Sequence, residues 1–193
     1  MTHVEEPTGR KPKRVDARRN EQALLDAAAA VFVTSGVDAP VREIAARAGV
    51  GMGTIYRHFP TRPELVVAVY RHQVEACAEA GPVLLANSPS PRVALESWVD
   101  LFVDFLVTKH GLAGALRNDP AGTDALHAYF VGRLVPVCQT LLEAATRDRA
   151  DGPGISAYAL MRGIGNLCIG AGTDPLYDPR VLVRSLIAGV LAD

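Results

Sequence analysis

Apolar residues return every three or four positions along this chain, the rhythm of helices, and nowhere alternate in the two-residue rhythm of strands. Ala23, Leu24, Ala27, Ala28, Val31 and Phe32 form the first stripe, with Ser35-Gly36 as its stop. Val41–Ala48 is a two-turn segment that puts Ile44, Ala45 and Ala48 on one face, and Gly49 follows where a left-handed cap fits. Residues 51–59 come next, with Ile55 and Phe59 turned inward and Met52, Gly53, Thr54, Arg57 and His58 outward. Thr61 is an N-cap with Pro63 and Glu64 just inside it; it opens a long helix through Leu65, Val66, Val69 and Tyr70 to the neighbourhood of Leu85.

A Ser/Pro break over 87–91 separates this helix from one opened by Pro91, whose stripe is Leu95, Trp98, Val99, Phe102, Phe105 and Leu106 and whose end is Lys109–Gly111. The pattern then predicts a short helix over Leu112–Leu116, a break at Asp119–Gly122, and helices over Asp124–Arg147, Ile155–Gly170 and Pro179–Leu191. Pro136 lies inside the first of these and predicts a kink near Gly132–Leu134. The fold class is therefore all-α, about nine helices. A flexible arm is expected over 1–15, a three-helix helix-turn-helix unit over 16–62, and a helical body over 63–193.

The 193 residues are 49% hydrophobic and 21% charged, too apolar for disorder. The longest stretch without Asp, Glu, Lys or Arg, Ala80–Pro91, is about half the ~20 residues a bilayer helix needs. No apolar signal core stands at the N-terminus, so a cytoplasmic location without membrane attachment is expected. Cys77, Cys138 and Cys168 are far apart and flanked by apolar residues, which reads as buried thiols rather than a disulfide framework or zinc site.

A net charge of −1 conceals a division. Residues 10–62 carry ten basic and five acidic side chains, and residues 63–193 carry ten basic and fourteen acidic ones. The excess of +5 thus accompanies the two short helices, while the body is at −4. Two short helices joined by a tight glycine-containing turn, behind a longer packing helix and a basic arm, match what the major groove of double-stranded DNA admits: one helix, with exposed side chains at base edges and cations at phosphates. The arm, with Arg10, Lys11, Lys13, Arg14, Arg18 and Arg19, has a composition that can enter the minor groove.

The run from Val41 through Ile44, Gly49, Gly51, Gly53, Ile55, Tyr56, Phe59 and Thr61 to Leu65 closely resembles the DNA-binding module of the TetR (tetracycline-repressor-like) family, over roughly residues 16–70. The resemblance implies that Met52, Gly53, Thr54, Tyr56, Arg57 and His58 lie on or beside the recognition helix. It places Arg42 at the start of the preceding helix near a phosphate, and Thr61 and Arg62 at the start of the fourth helix as backbone-phosphate contacts. One departure is Gly51, which stands where the family frequently has Ser or Thr.

The same resemblance makes the body an effector-binding and dimerisation domain. Trp98, Phe102, Phe105, Leu106, Tyr129, Phe130, Leu134, Tyr158 and Met161 are candidates to line a pocket for a small apolar or aromatic effector, with core packing as the competing reading. His110 and His127 read as surface or capping residues. Ile164, Leu167, Leu182, Leu186 and Ile187, interspersed with glycines on the last two helices, are candidates for a two-fold interface, so that a homodimer reads an inverted-repeat operator. The expected function is a ligand-released repressor; a regulator without a small-molecule effector is the alternative. No Glu-x-x-His pair, phosphate loop or nucleophile elbow is present, so neither enzyme activity nor a metal or cofactor is expected.

Overall fold

The structure, a computed structural model, describes residues 12–108, 120–171, 174 and 176–192. Among them are eight helices and no strand: α1 (Pro12–Ser35), α2 (Val41–Ala48), α3 (Met52–His58), α4 (Arg62–Asn87), α5 (Pro91–Thr108), α6 (Pro120–Ala145), α7 (Ala157–Leu167) and α8 (Pro179–Val190). The first eleven residues of the expected arm, and the helix expected over Leu112–Leu116, lie outside the described residues.

Helix ends follow local chemistry. Gly49 closes α2 at φ +67°, and its N–H donates to the carbonyls of Ala45 and Ala46. α4 opens with a capping box: the Thr61 hydroxyl accepts from the Glu64 N–H at 3.4 Å, and the Glu64 carboxylate accepts from the Thr61 N–H at 2.9 Å. Ser156 and Asp178 cap α7 and α8 with their side-chain oxygens.

Some boundaries differ from the sequence expectation. α1 begins at Pro12 rather than near Asp16, because a proline at the first turn gives up no internal hydrogen bond and is already set for helix. Pro120 starts α6 in the same way, four residues before Asp124, within the segment that reads as a break. α6 continues through Pro136 to Ala145. α7 is shorter than expected, running from the Ser156 cap to Leu167.

Two apolar cores share one helix. The N-terminal core joins Leu24, Leu25, Ala28, Val31 and Phe32 of α1 to Ile44 and Ala45 of α2, Ile55 of α3 and Phe59 just after it; Leu65, Val66 and Val69 of α4 complete it. The larger core begins one residue later, at Tyr70 and Val74, and gathers the inner faces of α5 to α8. Trp98 and Phe102 at its centre are fully buried, their rings stacked at 5.5 Å, and the Trp98 indole donates to the Cys77 carbonyl at 2.9 Å. The fully buried members of the two cores thus change over between Val69 and Tyr70, within α4. α4 buries its first two turns in the core it shares with α1 to α3, and it carries the rest of its length into the body.

α4 and α6 approach closely at Gly81. A β-carbon there would run into Cγ1 of Val137. Pro82 follows inside the same helix, and the absence of a β-carbon at Gly81 also relieves the crowding that a proline imposes on the residue before it.

Candidate nucleic-acid interface and cavity

α2 and α3 are held by what they bury. Ile44 and Ile55 are at most 1% exposed and Phe59 is buried beside them, each such side chain contributing about 1.5–3 kcal/mol of burial. With Ile55 and Phe59 fixed inward, the helical period turns the neighbouring positions out. Met52 and Tyr56 are about half exposed (51% and 52%), Gly53, Arg57 and His58 are exposed, and Thr54 is half-buried. Gly51, the residue before α3, is extended and caps the helix with no side-chain hydrogen bond. Arg42 stands exposed in the first turn of α2. A short helix thus presents a convex strip of polar, aromatic and cationic side chains with small residues at its start, the shape and chemistry that a DNA major groove accepts.

Thr61 and Arg62 differ from the rest of the expected set in what already occupies them. The Thr61 hydroxyl is engaged by the capping box, though it remains exposed. The Arg62 guanidinium is turned into the protein: Nε donates to the Val37 carbonyl at 2.9 Å, Nη2 donates to the same oxygen, and the group lies 5.1 Å over the Phe32 ring. Burial lowers its pKa against the opposing attraction of Asp38 and Tyr56. The Arg62 guanidinium therefore links the α1–α2 loop to α4 in this conformation.

The body holds a cavity of about 500 Å³. Phe102, Leu106, Phe130, Tyr158 and Met161 line it, as the sequence suggests. Trp98, Phe105, Tyr129 and Leu134 do not. Trp98, Phe105 and Leu134 are packed in the core itself, while Tyr129 turns outward, where its hydroxyl donates to Glu75 and its ring underlies Arg71. Aromatic identity and helical spacing do not separate core from cavity wall, since both are apolar and both face inward. Tyr70, Leu126 and Val131 complete much of the wall, together with His127 and with polar groups that the sequence does not single out: Thr123, Arg162 and Asn166. His127, expected on the surface, is exposed and also lies on the wall, its ring stacked on Phe130 at 6.0 Å. The signal for Arg162 and Asn166 was available in the register of α7, where Tyr158, Arg162 and Asn166 succeed one another at four-residue steps.

Tyr70 ties the cavity to the N-terminal unit, because it lines the cavity one residue after Val69 enters the other core. Further along α4, Glu75 accepts from Arg133 of α6 at 2.7 Å (Nε) and 2.5 Å (Nη2), and the hydrogen bonds from Arg133 hold the Glu75 pKa below the usual carboxylate range.

Of the candidate interface residues, Ile164 and Ile187 belong to the interior, at 0% and 3% exposed, and so offer no surface to another chain. Leu182 is 46% exposed, Val181 beside it 60%, and Leu167 and Leu186 are half-buried. Leu186 reaches within 3.7 Å of a β-carbon position at Gly163, so α7 and α8 pack closely. Among the described residues no helix is long and apolar enough to cross a membrane, and no group of three or more metal-ligating side chains is assembled.

Comparison with known proteins agrees with this arrangement. The profile of the family described as bacterial regulatory proteins, tetR family, matches residues 24–69, the extent of the N-terminal core. The HTH-type transcriptional activator FasR of Mycolicibacterium smegmatis is 37% identical over 92 residues, covering 47% of this chain and 41% of that one. The HTH-type transcriptional repressor KstR of the same organism is 31% identical over 117 residues, covering 59% and 52%. The chain thus spans about half the length of the curated relatives it matches. The crystal structure of the TetR transcriptional regulator SCO0520 from Streptomyces coelicolor superposes with a TM-score of 0.73 at 33% identity, covering 89% of this chain and 95% of that one.

Proposed function

Because the chain belongs to the TetR family of DNA-binding transcriptional regulators, we propose that it is a homodimeric repressor, released from an inverted-repeat operator when a small, largely apolar molecule enters its cavity. The observation that carries this reading is the sharing of α4: one helix contributes Val69 to the core beneath α2 and α3 and Tyr70 to the cavity wall. A ligand pressing on Tyr70 acts on the same rigid element that positions the recognition helix. It shifts the population towards dimers whose two α3 helices no longer match the half-site spacing.

In this reading Tyr56, Arg57 and His58 meet bases or flanking phosphates from the exposed side of α3, with Met52, Gly53 and Thr54 at the end nearest the groove floor. Arg42 and Thr61 meet phosphates on either side. Arg62 supports Thr61 from within through its bond to Val37. The homodimer is built on the exposed side of α7 and α8, with Leu182 and Val181 at its centre and Leu167 and Leu186 at its margin. Repression rather than activation is favoured by the mechanism, in which occupancy of the cavity dismantles the DNA-binding geometry. The matched relatives are named as regulators rather than enzymes, which supports a function exercised by binding alone.

Selection of bound sequences from a random double-stranded DNA pool tests the proposal. An inverted repeat is expected. Tyr56→Ala or Arg57→Ala then weakens binding to it by about 1–3 kcal/mol without lowering thermal stability. Enrichment of a single half-site, or of no sequence, would count against the dimeric reading.

A further inference from the structure

We infer that the molecule taken by the cavity is an anionic amphiphile, a carboxylate or equivalent acid on an apolar body, whose charged end is held by Arg162 and Asn166 of α7. The inference rests on the effector reading above and specifies its chemistry. The described wall contains no Asp or Glu; its charged groups are limited to the Arg162 guanidinium, with the His127 imidazole beyond it. The Arg162 guanidinium makes no ion pair and no side-chain hydrogen bond among the described residues, unlike Arg133 of α6, which is held by Glu75. Asn166 stands one turn further along the same helix face, and its side-chain amide has no hydrogen-bond partner among the described residues. A planar guanidinium fork with an amide N–H₂ one turn away on the same helix supplies donors, and the described wall holds no Asp or Glu to compete, which suits a carboxylate.

The remainder of the wall is apolar. Phe102, Leu106, Leu126, Phe130, Val135 and Met161 would enclose a hydrocarbon or aryl body. A volume of about 500 Å³ is within the range that buries most of a drug-sized ligand. One charged end and one apolar end of the site therefore select a molecule with the same division, and disfavour both a cationic drug and a fully neutral hydrocarbon.

The experiment uses full-length protein and matched pairs of probes: dodecanoate beside its methyl ester, and 4-phenylbutyrate beside its methyl ester. Binding is measured by titration calorimetry with wild type, Arg162→Gln and Arg162→Lys. At least one carboxylate is expected to bind tenfold or more tightly than its ester. Arg162→Gln should erase most of that preference while leaving ester affinity within about twofold, and Arg162→Lys should restore part of it. Because Arg162 is exposed, Arg162→Gln should fold with an unchanged melting temperature, which keeps the comparison clean. Equal affinity for acid and ester in wild type, or a preference untouched by Arg162→Gln, overturns the anionic assignment and leaves the effector reading standing. If no acid and no ester binds, the assignment is overturned, and the effector reading loses its support as well.

Discussion

The approach of α4 and α6 at Gly81 gives a quantitative test of how the two cores are joined. Replacing Gly81 by Ala has three effects. Helix propensity favours Ala by about 1 kcal/mol. Against this, the new methyl group collides with Val137 Cγ1, and overpacking of this kind costs about 1–3 kcal/mol. The new β-carbon also crowds Pro82, which disfavours helical geometry in the residue before it. The collision and the proline together exceed the propensity gain, so Gly81→Ala should lose about 1–2 kcal/mol net, or roughly 2–8 °C in Tm for a chain of this size.

The partner substitution isolates the collision. Val137 is only partly buried, so Val137→Ala alone should cost about 1 kcal/mol. In the double variant the collision is gone, and its stability should exceed the sum of the two single effects by about 1–3 kcal/mol. Urea denaturation at fixed protein concentration measures all four corners of the cycle, the fixed concentration being needed because the proposed dimerisation would contribute to apparent stability. If the two single effects add to within about 0.5 kcal/mol, or if Gly81→Ala stabilises the protein, the contact does not limit α4–α6 packing and the reasoning fails.

Arg62 distinguishes a brace from a phosphate ligand. Arg62→Ala should destabilise the fold by about 1–3 kcal/mol through loss of the Val37 hydrogen bond and the Phe32 contact, with the salt dependence of DNA binding unchanged. Unaltered stability with a slope reduced by about one would reverse the assignment. Burial pushes the Cys77 and Cys138 thiols up to about 12, so at pH 8 both should resist iodoacetamide in the native protein and react once guanidinium unfolds it. Rapid native labelling at either position would show that the α4–α6 interior opens. Glu75 has a lowered pKa, so its contribution to stability is fully present above the usual carboxylate range and is lost as pH falls through the lowered value. Glu75→Gln should therefore flatten the acid limb of the stability profile, and an identical limb in both proteins would exclude this role.

Much of the N-terminal unit was legible in the sequence because local rules and global packing agree there. Ile44, Ile55 and Phe59 can bury only on one face of two short helices, Gly49 is suited to the left-handed turn between them, and Thr61 with Glu64 marks the start of α4. With those faces fixed, the outward side of α3 follows from helical geometry alone. The charge excess, invisible in the total, points to the same end of the chain.

Other features depended on contacts between residues distant in sequence. Helical spacing gives Trp98, Phe105 and Leu134 the same inward direction as Phe102 and Phe130, and only the meeting of α5, α6 and α7 decides which of them fills the core and which faces empty volume. Arg62 reads as a free cation until the α1–α2 loop brings the Val37 carbonyl to it across twenty-five residues. Ile164 and Ile187 read as surface for a partner until α5 and α6 cover them. The sequence by itself determined the helices, their caps and the exposed strip of α3, because each of these is set by interactions within a few residues. Tertiary structure alone decided where the cores divide on α4 and what lines the cavity, because both depend on which faces of separate helices come together.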